Sequence, residues 1–213
     1  MPCLFAIGQR ELFTIIRGIL TIIEFFMNIP SSLLASESIT FEGAIELTQS
    51  LLSEIEADSL RDSYASRLSQ AQIEQAVASL VKTPNGARGF FVTYLTDEGQ
   101  VADSPSPGVI EALRSTPEIV AELLVKNLAM SAAMVVYHSR HQSEERAAGS
   151  ARVQGRSRNL IQILQMPACQ TVASQMLASL QSASGEYEEF FQRWGYDDEQ
   201  KLAIGSAVGE AIG

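Results

Sequence analysis

From Ser38 onward the apolar positions recur every three to four residues, the spacing that gathers them on one face of an α-helix. The first such segment is predicted over about 41–57, with Phe41, Ile45, Leu47, Leu51, Leu52 and Ile55 on its buried face. Ser38 and Thr40 are candidate caps, and Glu42 suits the positive end of the helix dipole. Asp58 to Arg67 is polar and patternless, which predicts a loop or a frayed extension. Ser69-Gln70-Ala71-Gln72 is a capping box that opens a helix with Ile73, Val77, Leu80 and Val81 inward. Thr83-Pro84-Asn85-Gly86 closes it with a turn.

Phe90-Phe91-Val92-Thr93-Tyr94-Leu95 is the one ambiguous run, because its aromatic and β-branched residues favour a strand. No second run supplies a hydrogen-bonding partner, so a buried helix over about 86–96 is predicted. Asp97 to Pro105 is a loop. Ser106-Pro107 and Thr116-Pro117-Glu118 are helix openings, each a capping residue with proline at the first helical position. The second opens the longest helix, about 117–146, with Ile119, Leu123, Leu124, Leu128, Ala132 and Val135 at helical spacing. Gly149-Ser150 is expected to break it before a helix running to about Gln165. Helices over 167–182, Tyr187 to Trp194 and Asp198 to Ile212 complete the chain.

These elements predict an all-α fold, an irregular bundle of seven to nine helices forming one domain over 38–213. The expected core holds Leu51, Leu52, Ile73, Val77, Leu80, Phe90, Leu123, Leu128, Leu160, Leu164, Leu177 and Trp194. Residues 1–37 form an apolar N-terminal extension. Within it, Leu12 to Phe26 is shorter than the roughly 20 residues of a spanning helix, and Arg17 and Glu24 interrupt it. It reads as a secretory signal, a membrane span, an interfacial or core-docking helix, or residues upstream of a true start at Met27. The first two are weak on charge and length, and the last is preferred. Peripheral membrane contact by 12–26 remains compatible with its wide apolar face.

Composition narrows the picture. The 213 residues are 46% hydrophobic and 19% charged, which excludes overall disorder. Ala, Ser and Leu dominate, as in helical proteins. The net charge of −10 has the wrong sign for a nucleic-acid-binding field. Two cysteines, Cys3 and Cys169, cannot build a disulfide framework, and Cys169 is expected to be a small buried residue.

The stretches Asn85-Gly86-Ala87-Arg88-Gly89-Phe90-Phe91, Leu123-Leu124-Val125-Lys126-Asn127-Leu128-Ala129-Met130 and Arg193-Trp194-Gly195-Tyr196 resemble an uncharacterised family of small all-helical cyanobacterial proteins. The resemblance covers about 39–212. It implies a soluble cytoplasmic protein of a photosynthetic cell and carries over no functional residue.

Chemistry is sparse in the sequence. Gly86 and Gly89 are too few and wrongly spaced for a phosphate loop, and no Gly-Lys-Ser/Thr occurs. His138 and His141 are the only histidines, followed by Glu144 and Glu145. A continuous helix would bring 138, 141 and 145 near one face, but neither a di-iron nor a zinc-protease signature accompanies them. No serine-nucleophile elbow appears, and the acidic cluster from Glu186 to Glu199 is explained by dipole complementarity and solubility. No catalytic residue, metal site or cofactor is assigned.

Arginine is the anomaly: it outnumbers lysine twelve to three, and Arg140, Arg146, Arg152, Arg156 and Arg158 fall within nineteen residues. Either they pair internally with the acidic remainder, or they form a surface that docks an acidic protein partner or an anionic ligand. On the second reading Arg152, Arg156 and Asn159 point outward while Val153, Leu160 and Ile161 face the core, and His138 and His141 adjoin the surface. The expected function is a non-enzymatic regulatory or assembly protein acting through this 140–158 surface. The alternative is a helical pocket for an apolar anionic cofactor such as a tetrapyrrole, with the arginines on its carboxylate tails. An enzyme without a legible motif ranks last.

Overall fold

The computed structural model describes residues 29–60, 68–182 and 184–213. Its regular elements are all helical: a 3-10 turn at Ser31–Leu33, then α1 Phe41–Leu60, α2 Gln70–Val81, α3 Pro84–Thr96, α4 Pro107–Arg114, α5 Pro117–Arg140, α6 Glu144–Leu164, α7 Pro167–Ser182, α8 Glu188–Trp194 and α9 Asp198–Ile212. Among the described residues there is no strand. The first 28 residues, including the 12–26 segment and Cys3, lie outside the described residues.

Local chemistry sets most helix starts. The Ser69 hydroxyl accepts from the Gln72 amide at 3.2 Å while the Gln72 side chain accepts from the Ser69 amide at 2.8 Å, a completed capping box. Thr83 caps α3 with Pro84 at its first position, so the turn predicted there is itself a helix start. Thr40 Oγ1 accepts from the Gly43 amide at 3.0 Å at the start of α1. Asp197 and Gln200 form a second capping box, at the start of α9.

Phe90 to Leu95 is helical, and the reason is burial. In α3, Ala87, Phe90, Phe91, Tyr94 and Leu95 are all at most 1% exposed, so apolar residues point in nearly every direction and periodicity fades. The helix is enclosed by α1, α2, α5 and α6. Phe90 stacks on Tyr94 at 5.0 Å and meets Phe91 edge-on at 5.3 Å. Glycine permits the tightest approach: a Cβ on Gly89 would fall 2.5 Å from Ala44 Cβ of α1 and 2.8 Å from the Phe41 carbonyl.

The long helix ends earlier than predicted. α5 stops at Arg140 because Gln142 takes a left-handed conformation, φ 54°. The Ser143 amide then donates to the His138 carbonyl and the Gln142 amide to the Ser139 carbonyl, a Schellman closure. That closure normally uses glycine, so its signal is missing here. Conversely, Gly149 does not break α6, which continues through it and Gly155. An interior glycine costs only about 1 kcal/mol, and α6 packs along α5.

α5 is the central helix, in contact with α3, α4, α6, α7 and α9. It is also apolar and long enough to cross a membrane, the one such helix among the described residues, and half of its most apolar window is buried in the bundle. Nine of the twelve expected core residues are buried; Leu123 and Leu177 only flank the core, and Trp194 is 53% exposed. Trp194 misses the core because Tyr187 at the N-cap of α8 and Phe191 within it are the residues buried, and the left-handed Gly195 turn (φ 61°) then returns Tyr196 inward in its place.

Candidate functional site

The candidate cationic surface separates into three groups once the helices are assembled. Arg156 is not on it. The side chain is 3% exposed and its guanidinium is fully used, which is the internal pairing and not the outward orientation that the docking reading requires. Nε donates to Asp103 Oδ1 at 2.7 Å and Nη2 to Asp103 Oδ2 at 3.0 Å. Nη1 donates to the carbonyls of Leu95 (3.1 Å) and Asp97 (2.6 Å), and Nη2 to that of Gly99 (2.7 Å). Those carbonyls end α3 and open the following loop, so Arg156 closes the helix from another element, as a cation suits a helix C-terminus. The bidentate guanidinium holds the Asp103 carboxyl below the usual range. Asn159 lies beside it, with Nδ2 3.5 Å from the Asp103 carbonyl.

Arg140 and Arg158 are also committed. Arg140 pairs with Asp197 and Glu199 at the start of α9, which lowers the Asp197 pKa, and Arg158 meets Glu210 at 3.3 Å. His141 caps α5: its Nδ1 lies 2.7 Å from the Tyr137 carbonyl and its ring 4.2 Å from the Tyr137 ring. Because α5 ends there, 138, 141 and 145 do not share a helix face. Among the described residues no group of three or more His, Cys, Asp or Glu is arranged to hold a metal ion. Cys169 is a free, buried thiol whose pKa burial pushes up to about 11, so it is chemically quiet.

His138, Arg146 and Arg152 remain together. They rim a depression of about 360 Å³ between α5 and α6, floored by Met130, Met134 and Val153. Among the described residues no carboxylate lies within ion-pair distance of Arg146 or Arg152, and both are exposed.

A larger groove of about 930 Å³ lies farther along α5, walled by α3 and α8 and touching Phe41 of α1. Lys126 crosses it: Nζ is 2.5 Å from a Glu122 oxygen and sits over the Tyr187 and Phe190 rings at 5.6 and 5.7 Å. The Tyr187 hydroxyl donates to Glu122 at 2.5 Å, and burial together with that carboxylate pushes its pKa well up. Val92 (45% exposed) and Trp194 line the same groove, as do the exposed Arg88, Arg193 and Glu189. Asn127 and Met130 line both concavities, so the two adjoin across α5.

Sequence reasoning named the three residues of the cationic rim among seven candidates and missed the groove. Periodicity assigns Leu123 and Trp194 to the core, and nothing in a linear pattern reports that no helix among the described residues covers them. The stretches that carry the family resemblance do meet here, through Arg88, residues of 123–130, and Arg193 with Trp194.

No curated protein and no solved structure matches the chain. Residues 40–211 match the family described as uncharacterised conserved protein UCP020893, and the chain, an all-helical single domain over that span, belongs to that family.

Proposed function

We propose that this is a non-enzymatic interaction protein that docks an acidic partner on the depression rimmed by His138, Arg146 and Arg152. The observation that carries the reading is the pairing pattern. On a chain of net charge −10, Arg140, Arg156 and Arg158 are neutralised internally, whereas Arg146 and Arg152 flank an apolar floor with no carboxylate within ion-pair distance among the described residues. Two guanidinium forks beside methionine and valine suit a carboxylate-bearing segment with apolar neighbours, and their charge fixes register. The compartment implied by the family resemblance is the cytoplasm of a cyanobacterial cell, where this module regulates or assembles its partner.

The test compares the full chain with R146E/R152E as bait in native extract, followed by affinity measurement with each purified candidate. The partner is lost from the variant, the salt dependence falls, and the melting temperature stays nearly unchanged. Identical partners and affinities for both baits would overturn the reading. A second reading, an apolar anionic cofactor such as a tetrapyrrole, is favoured by one observation: His138 stands on the same rim as Arg146 and Arg152. A visible absorption band in protein purified from its host would select it, and a featureless spectrum removes it.

A further inference from the structure

The outer face of α5 carries an uninterrupted stripe. Leu123, Asn127, Met130, Met134 and His138 follow at spacings of four, three, four and four residues, and each is half-buried. At 1.5 Å per residue the stripe is about 22 Å long. Its first part lies in the larger groove and its last part in the smaller depression, with Asn127 and Met130 common to both. Among the described residues no element lies over this face of the apolar central helix, whose opposite side is packed by α3, α4, α6, α7 and α9.

We propose that this stripe seats one amphipathic α-helix of about four turns from a partner protein. The proposal rests on the docking reading above and names the partner's class. Three features select a helix. The spacing of three and four residues is the ridge pattern that another helix packs into at a shallow crossing angle. The length matches about fifteen helical residues, more than a compact ligand spans. The exposed anchors at the groove end, Val92 and Trp194 with Arg88 and Arg193 beside them, include the residue types that dominate binding hot spots.

Charge sets the occupant's polarity. The depression end presents Arg146 and Arg152 alone, whereas the groove end mixes Arg88 and Arg193 with Glu186 and Glu189. The partner helix therefore carries apolar residues at 3–4 spacing along one face, acidic residues at the end over α6, and both signs at the end over α8. That arrangement leaves no cation of the depression without a counter-charge and no carboxylate of the groove facing only its own sign.

Photo-crosslinking in the native host tests this with the full chain. Benzoylphenylalanine replaces Val92 in the groove, Ser150 in the depression, or Leu202, 75% exposed and outside both, as a control. Variants are accepted only with wild-type circular dichroism and melting. The expected result is that positions 92 and 150 both label one partner, at residues within about fifteen positions of each other, and position 202 does not. Labelling from 150 alone, or at distant segments, overturns the helix while the docking reading stands. Labelling from 92 alone, or from neither, overturns both. Crosslinks from both positions to residues 12–26 of the same chain, to a second copy of it, or to lipid, overturn the partner helix in favour of self-docking, self-association or membrane contact.

Discussion

Replacing Arg156 with alanine should be among the most damaging single changes in the bundle. Its guanidinium makes five hydrogen bonds, three to the Leu95, Asp97 and Gly99 carbonyls and two to Asp103, from a position 3% exposed. Hydrogen bonds to charged groups contribute roughly 1.5–3 kcal/mol each in isolation, but the five are not additive, because water recovers part of the loss. The Asp103 side chain is 51% exposed and rehydrates readily when its partner leaves. What is not recovered is the end of α3, where the Leu95 carbonyl is sealed beneath the loop. Leaving that buried carbonyl without a donor costs about 1–3 kcal/mol. Taking 2–4 °C per kcal/mol for a chain of this size, the melting temperature falls by roughly 2–12 °C. Arg156→Lys should recover little, since one ammonium cannot span five acceptors. Thermal and urea unfolding of R156A, R156K and R152A check this. A loss under about 1 kcal/mol for R156A, or an equal loss for R152A, would refute the brace. The pH profile gives an independent sign. The folded Asp103 pKa is depressed, so its contribution is complete above the unfolded value of 3.8 and is lost as pH falls through the lower folded value. The wild-type advantage over R156A should therefore stay flat above about 3.8 and shrink as the pH falls from there through the lower folded value.

Gly89→Ala places a Cβ 2.5 Å from Ala44 and forces α1 and α3 apart, so a loss of about 1–3 kcal/mol is expected in denaturant unfolding. Gly155→Ala meets nothing within 4 Å and should instead stabilise by roughly 0.5–1 kcal/mol in the same assay. Cys169 should resist alkylation in the native state at pH 8 and react quickly once the chain is unfolded, because burial holds its pKa at about 11. Ser69→Ala removes one half of the capping box and should cost about 0.5–2 kcal/mol, with the loss of amide protection concentrated in the first turn of α2.

Local chemistry in the sequence was enough to determine the helical class, most helix starts and most of the core. Capping residues, N1 prolines and a period of 3.6 act within a few residues, so Ser69, Ser106-Pro107 and Leu51-Leu52 read the same alone or assembled. Helix ends and coverage are different. Gln142 takes the left-handed closure of α5 without a glycine to announce it, and Gly149 stays helical because packing along α5 outweighs its propensity. Arg152 and Arg156 lie one turn apart on the same helix, yet one is exposed and the other buried, because position 156 points inward to the carbonyls at the α3 end whereas position 152 lies on the rim of the depression. Trp194 and Leu123 carry a core-like pattern but lie beside an open groove. Whether an apolar residue is buried, or an arginine is free, depends on which distant element arrives opposite it, and only the tertiary structure decides that.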